Sequence, residues 1–208
     1  IRDSHNSAKL TLDEVIEIMK EADKQGKMIV RLHTGDQSVY GAVREQMDEL
    51  DRLGIAYESC PGVSACFGAA ASLNLEYTLP GVSQSLIITR MEGKTAVPEK
   101  ESIESFAAHQ ASMAIYLSTG LLEELGRRLM AGGYRGDTPA VLCYKATWPE
   151  QRVVRCTVGS LAESTKAAGI TKTALIVVGD FLGTRYERSK LYDPAFATEY
   201  RPATEPKQ

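Results

Sequence analysis

Short apolar segments alternate with longer amphipathic ones along most of the chain, and this alternation constrains the fold more than any other feature. Met28–Leu32, Ile55–Ser59, Gln84–Thr89, Met113–Leu117, Ala140–Tyr144, Arg152–Cys156 and Ala174–Val178 read as strands. Between them, Leu12, Val15, Ile16, Met19 and Ala22 recur at helical spacing. So do Val39, Val43, Met47 and Leu50, while Val63–Leu75, Ile103–His109, Leu121–Met130 and Leu161–Ala168 complete the helical set. Thr11-Leu12-Asp13-Glu14 has the form of a capping box, and Gly26 and Gly54 suit helix stops. Strands alternating with helices predict an α/β fold.

The short Trp148-Pro149-Glu150 connection predicts an antiparallel hairpin, so the second half should carry a mixed sheet. A turn-rich stretch at Thr78-Leu79-Pro80-Gly81 separates the two strand–helix series. The expected organisation is an N-terminal α/β domain over residues 1–80, a C-terminal α/β domain over 81–182, and a tail over 183–208. The 208 residues suffice for two small domains. Apolar residues make up 43% of the chain and charged residues 25%, with a net charge of −3, so no broad basic surface points to nucleic acid. No apolar run reaches the ~18 residues of a membrane span, and no signal peptide is visible. These features predict a cytoplasmic protein. The chain opens on Ile1 without a Met, and the natural start is expected to lie upstream. Cys60, Cys66, Cys143 and Cys156 form no C-x-x-C pair and read as buried, reduced thiols; no His stands at metal-ligand spacing, so no metal site is expected.

Two glycine-bearing turns follow predicted strands: Thr34-Gly35-Asp36 and Pro61-Gly62-Val63-Ser64-Ala65. Ligands in open α/β sheets bind outside the carboxyl ends of strands, and glycine permits close backbone approach. By composition alone each turn reads as simple punctuation before it reads as a site. The chain has no G-x-G-x-x-G, no P-loop and no nucleophile elbow, which argues against dinucleotide redox chemistry and hydrolysis.

Several segments taken together go further. Arg31-Leu32-His33-Thr34-Gly35-Asp36-Gln37-Ser38-Val39-Tyr40-Gly41-Ala42 resembles the R-x-H-T-G-D-P-x-x-Y-G-A stretch of the precorrin-4 C11-methyltransferases, a branch of the tetrapyrrole methylase superfamily. Cys60-Pro61-Gly62-Val63-Ser64-Ala65, Leu79-Pro80-Gly81-Val82-Ser83-Gln84 and Ile88-Thr89-Arg90-Met91-Glu92-Gly93-Lys94-Thr95-Ala96-Val97-Pro98 continue the match. Tyr144-Lys145-Ala146-Thr147-Trp148-Pro149 and Thr173-Ala174-Leu175-Ile176 complete it. P-G-V-S marks the wider superfamily, whereas the other segments jointly point to the C11 branch. Two departures stand out. The family's first strand and its G-x-G-P-G-D-P loop are expected to be absent from this chain, and Gln37 stands where the family usually has Pro.

The resemblance implies a two-domain tetrapyrrole methylase fold with S-adenosylmethionine (SAM) held between the domains of a homodimer. It also implies methylation of C11 of precorrin-4 or its cobalt form in cobalamin biosynthesis. A non-catalytic truncated form, or a sibling enzyme acting on another ring carbon, are the alternatives. Thr34, Gly35, Asp36, Val39, Ser64, Ala65, Leu117, Ala146, Thr173 and Ala174 match the cosubstrate-contacting positions. Asp36 would orient a polar edge of SAM or cap the next helix, and Leu117 would contact adenosine or pack in the core. Arg31, Arg90 and Lys94 are candidates for the carboxylates of the tetrapyrrole, or else solvated surface charges. Tyr40 and Trp148 would pack on the macrocycle or on the protein itself. A sulfonium methyl donor is already activated and needs no nucleophilic residue; some base must still remove a proton, and no residue is identified for it, with solvent or the substrate itself as the alternatives.

Overall fold

The computed structural model describes residues 2–3 and 9–204, and divides into two compact units, residues 1–68 and 69–208. The division falls at Gly68/Ala69, upstream of the Thr78–Gly81 turn. Side-chain contacts explain why: Ser72 Oγ lies 3.9 Å from Cys143 Sγ, and Ser112 Oγ donates to the Tyr77 carbonyl at 2.6 Å, so residues ahead of the turn are already bound to the second unit's sheet.

In the first unit, β1 (Arg2–Asp3) pairs in parallel with β2 (Arg31–Leu32). Helix α1 (Leu12–Lys24) starts at the expected capping box: Glu14 N–H donates to Thr11 Oγ1, and Thr11 N–H donates to the Glu14 carboxylate at 2.7 Å. Its Ile16 and Met19 are buried, and it packs against α2 (Arg44–Leu53). Gly54, at φ 68°, ends α2 in the left-handed conformation that glycine tolerates best. Val39 lies outside α2, in the turn that precedes it.

Two strand expectations fail here. Only Arg31–Leu32 of the Met28–Leu32 run is a strand, and Ile55–Ser59 forms none. Apolar, β-branched composition sets a preference, but a strand also needs a ladder partner. Among the described residues neither flank has one, and Met28 is left 91% exposed. Helix α3 (Ala65–Leu73), shorter than its Val63–Leu75 forecast, spans the division between the units.

The second unit is a five-stranded mixed sheet in the order β3-β4-β7-β5-β6. Its strands are β3 (Leu86–Arg90), β4 (Ser112–Tyr116), β5 (Pro139–Tyr144), β6 (Arg152–Thr157) and β7 (Ala174–Val178). β3 and β4 are parallel; every other pairing is antiparallel, including the expected β5–β6 hairpin, which puts Tyr144 opposite Arg152. Helices α4 (Ile103–Ala107), α5 (Leu122–Ala131) and α6 (Leu161–Ala167) bury Ile103, Leu125, Leu129 and Leu161 against Met113, Ile115, Leu142 and Ile176. Ala114, Val141 and Val177, on the alternate face, are buried as well. A sheet covered on both sides explains why its central strands read as unbroken apolar runs.

Beyond Leu182 the described residues form turns, one short 3-10 helix (Lys190–Tyr192) and one isolated bridge between Thr198 and Arg201. Glu187 N–H donates to the Pro80 carbonyl, and Arg201 gathers the carbonyls of Leu191, Asp193 and Phe196. The four cysteines are free. Cys66 and Cys143 are buried, Cys156 is half-buried, and Cys60 is exposed, which corrects the expectation of uniformly buried thiols. Burial pushes the Cys156 thiol up to about 11 and raises Cys143, so neither carries thiolate character near neutrality.

Leu142 is fully buried in β5 and belongs to the hydrophobic cluster between the sheet and its helices. Leu142→Ala should destabilise the second unit by about 2–5 kcal/mol through lost transfer energy and a residual cavity. Urea unfolding followed by far-UV circular dichroism measures this directly.

Candidate functional site

The first unit brings its two glycine turns into backbone contact. Gly35 adopts φ 70°, and a Cβ on Gly62 would lie 2.1 Å from the Gly35 carbonyl oxygen, so only glycine fits at position 62. Asp36 staples the pair. One carboxylate oxygen accepts from the backbone N–H and hydroxyl of Ser38; the other accepts from Gly62 N–H at 2.8 Å. These hydrogen bonds, Ser38's first, hold the carboxylate below its ordinary range despite its exposure. Asp36 therefore caps its own turn and crosses to the second one; it does not cap α2, whose N-cap is Val43.

Ser64 is buried, and its carbonyl accepts from the N–H groups of Phe67 and Gly68, starting α3 immediately after the turn. Thr34 is exposed, Ala65 is exposed on the first turn of α3, and Val39 donates its N–H to the Asp36 carbonyl. Tyr40 is half-exposed in a left-handed backbone conformation, φ 57°. Arg31 is tied locally: Nε donates to Gln46 Oε1 and Nη1 to the Leu32 carbonyl. Partial burial and the Arg31 charge depress the pKa of His33, which favours its neutral form.

The second unit collects its candidates on one edge of the sheet. β3, β4 and β5 end there, and antiparallel β7 begins there. Leu117, just past β4, is 73% exposed at φ 53°. A bulky apolar residue that is both solvent-facing and left-handed is unusual enough to suggest a site. Lys145 N–H donates to the Thr173 carbonyl, which joins the Tyr144–Trp148 turn to the residue before β7; Lys145, Thr147 and Thr173 all have positive φ. Thr119 Oγ1 donates to the Ala174 carbonyl at 3.2 Å and links the β4 end to β7. Leu117, Ala146, Thr173 and Ala174, separated in sequence, thus share one ledge of small and apolar side chains at this edge of the sheet. Ser118 and Thr119 belong to the same ledge and were not singled out from sequence. Ser118, fully buried, donates to the Tyr116 carbonyl and accepts Met91 N–H at 2.8 Å. The signal available was a Ser-Thr-Gly run directly after an apolar strand.

Arg90 ends β3 opposite Tyr116, at the same edge. Its guanidinium donates to the carbonyls of Met91, Thr95 and Ala96, so it shapes the Met91–Pro98 loop. Lys94 is exposed on that loop. Trp148 is 52% exposed, with the Lys145 ammonium 5.2 Å from its ring centroid and Glu150 paired to that ammonium at 3.3 Å. Among the described residues, no three His, Cys, Asp or Glu side chains are arranged to hold a metal ion. No helix of the described residues is long and apolar enough to cross a membrane.

The model of the family "Tetrapyrrole (Corrin/Porphyrin) Methylases" matches residues 2–162. The chain is 50% identical to the cobalt-precorrin-4 C(11)-methyltransferase of Methanocaldococcus jannaschii, covering 95% of this chain and 76% of that protein. It is 40% identical to the precorrin-4 C(11)-methyltransferase of Pseudomonas aeruginosa, over 95% of this chain and 79% of that protein. A solved structure of a cobalt precorrin-4 methyltransferase, a cobalamin biosynthetic enzyme, superposes with a TM-score of 0.83 at 41% identity, covering 86% of this chain and 74% of that one. The chain belongs to the tetrapyrrole (corrin/porphyrin) methylase family.

Proposed function

We propose that this protein transfers a methyl group from SAM to C11 of a precorrin-4-type tetrapyrrole in cobalamin biosynthesis. The observation that carries the reading is the joining of the two glycine turns by the Asp36 staple, the same two turns whose sequence carries the resemblance. Relatives named for this reaction, at 50% and 40% identity over nearly the whole chain, support it. The higher identity to the cobalt-precorrin-4 enzyme favours the cobalt-bearing substrate, with cobalt arriving as part of that substrate. A homodimer in the cytoplasm follows from the resemblance and completes the proposal.

The residues present suit a nucleoside sulfonium. Thr34, Gly35, Asp36, Val39, Ser64 and Ala65 offer a turn pair with exposed backbone, and Leu117, Ala146, Thr173 and Ala174 offer the apolar ledge expected to face adenosine. Bound SAM supplies an activated methyl carbon. The protein's own contribution is alignment and exclusion of water, which in oriented model reactions accounts for ~7–11 kcal/mol of barrier. Asp36 serves this by fixing backbone, since both its oxygens are already engaged. Lys94, with its side chain exposed, is the proposed partner for substrate carboxylates; from the first unit, Arg31 is a further candidate for them and Tyr40 a candidate for packing on the macrocycle. Arg90 supports Lys94 by holding the loop that bears it.

The purified protein incubated with SAM and either precorrin-4 or its cobalt form should add one methyl group, detected by mass spectrometry and assigned to C11 by NMR. Transfer to neither substrate would refute the assignment. Gly62→Ala forces a Cβ into the Gly35 carbonyl and should weaken S-adenosylhomocysteine binding by roughly tenfold or more, about 1.4 kcal/mol, by calorimetry.

The Asp36 staple also has a defined pH dependence. Its folded pKa is depressed, so its contribution is complete above the unfolded carboxylate value and is lost as pH falls through the lower folded one. The amide resonances of Gly62 and Ser38 should titrate together below the ordinary Asp range of about 3.9. Asp36→Ala should abolish that shared titration.

A further inference from the structure

The Met91–Pro98 loop leaves β3 at the ledge and returns to α4 across a cavity of about 390 Å³, lined by Arg90, Glu92, Val97, Pro98, Glu104 and Arg128. Arg128, on α5, crosses this gap. Its side chain is only 12% exposed; Nε donates to Glu104 Oε1 at 2.7 Å and Nη1 to Glu92 Oε1 at 2.9 Å. Glu104, on α4, has its pKa lowered chiefly by the Arg128 hydrogen bond. Its other oxygen, Oε2, is buried and has no hydrogen-bond partner. The guanidinium is thus anchored on one side by a carboxylate within the helical layer and presents its other nitrogen to a carboxylate on the loop. At the loop's base, Arg90 gathers three carbonyls and Ser118 accepts Met91 N–H. Glu92 and Lys94 are separated only by Gly93, whose N–H closes a short turn on the Thr95 carbonyl.

We infer that Arg128 is a positioning residue for the acidic substrate: by gripping Glu92 it fixes the loop so that Lys94 is held beside the strand ends where the macrocycle's carboxylates arrive. This inference rests on the methyltransferase reading and adds to it a residue that does not touch substrate. Magnitudes separate this role from simple stabilisation. The Glu92 side chain is 56% exposed, and ion pairs of such exposure contribute little to global stability. A loop tip bordered by glycine is easily displaced, however, and displacement of Lys94 acts on binding alone.

The experiment compares steady-state kinetics of wild type, Glu92→Gln, Arg128→Lys, Lys94→Met and the double variant Glu92→Gln/Lys94→Met. Tetrapyrrole and SAM are varied separately. Melting temperature and amide exchange at Gly93 are measured in parallel. Glu92→Gln is expected to raise KM for the tetrapyrrole roughly 5- to 10-fold, within the range of coupling energies carried by such networks. It should leave KM for SAM and the melting temperature unchanged and accelerate exchange at Gly93. In the Lys94→Met background it should have no further effect. Arg128→Lys, which keeps the charge but cannot fork between two carboxylates, should raise KM for the tetrapyrrole and spare KM for SAM as Glu92→Gln does. An unchanged tetrapyrrole KM in Glu92→Gln, an effect that adds fully to that of Lys94→Met, or an equal rise in both KM values would each overturn the role while leaving the methyltransferase reading intact. A wild-type protein that methylates neither tetrapyrrole would overturn both.

Discussion

β7 is the constraint on which the second unit's chemistry depends. It is last in sequence but lies between β4 and β5, antiparallel to both. That insertion places the start of β7 beside the ends of β4 and β5, so Thr173 and Ala174 stand next to Leu117 and the Lys145–Trp148 turn. The register is enforced by burial: Ile176 and Val178 share one covered face, Leu175 and Val177 the other. A slip by one residue would exchange the two sets. Thr119 and Lys145 then tie neighbouring strand ends to β7 through backbone carbonyls, making the ledge a continuation of the sheet.

The first unit solves a similar problem with fewer elements. Among the described residues its sheet is a single pair of short strands, and most of its candidate residues, Thr34 to Val39, Tyr40 and Ser64, sit on loops. A loop gains precision when its backbone is held by something other than a ladder, and the Asp36 carboxylate does this across 26 residues of sequence. Both units arrive at the same design, in which conformation is fixed by backbone hydrogen bonds and left-handed residues and acid–base side chains are scarce. That suits transfer from a donor that is already activated, where geometry sets much of the rate.

The central strands and most helices were legible because burial on both faces writes itself into composition: β5 and β7 were read within a residue or so from their apolar runs alone. The capping box at Thr11 was legible for the opposite reason, since its two hydrogen bonds join residues three apart and need nothing from the rest of the chain. Ile55–Ser59 was misread because strand identity depends on a partner that local sequence does not specify. The glycine turns were visible as punctuation, and only the family resemblance singled them out. That Asp36 reaches Gly62, and that Leu117 stands exposed where an apolar residue would be expected in the core, are consequences of tertiary placement.

The same division applies to charge. The chain is net negative, yet the proposed substrate is acidic, so the distribution of cations matters more than their sum. The family resemblance offered Arg31, Arg90 and Lys94 as partners for the substrate's carboxylates, or else as solvated surface charges. In the structure the guanidinium fork is used inward. Arg90 gathers three carbonyls of one loop, Arg128 bridges two carboxylates on different elements, and Arg201 collects three carbonyls of the C-terminal segment. A guanidinium with five donors in fixed geometry is well suited to organising irregular backbone, because each added partner costs little extra side-chain ordering. An ammonium on a flexible stem is better suited to meeting a mobile carboxylate at the surface. The loop after β3 combines the two, with arginines at its base and flank and Lys94 at its exposed turn.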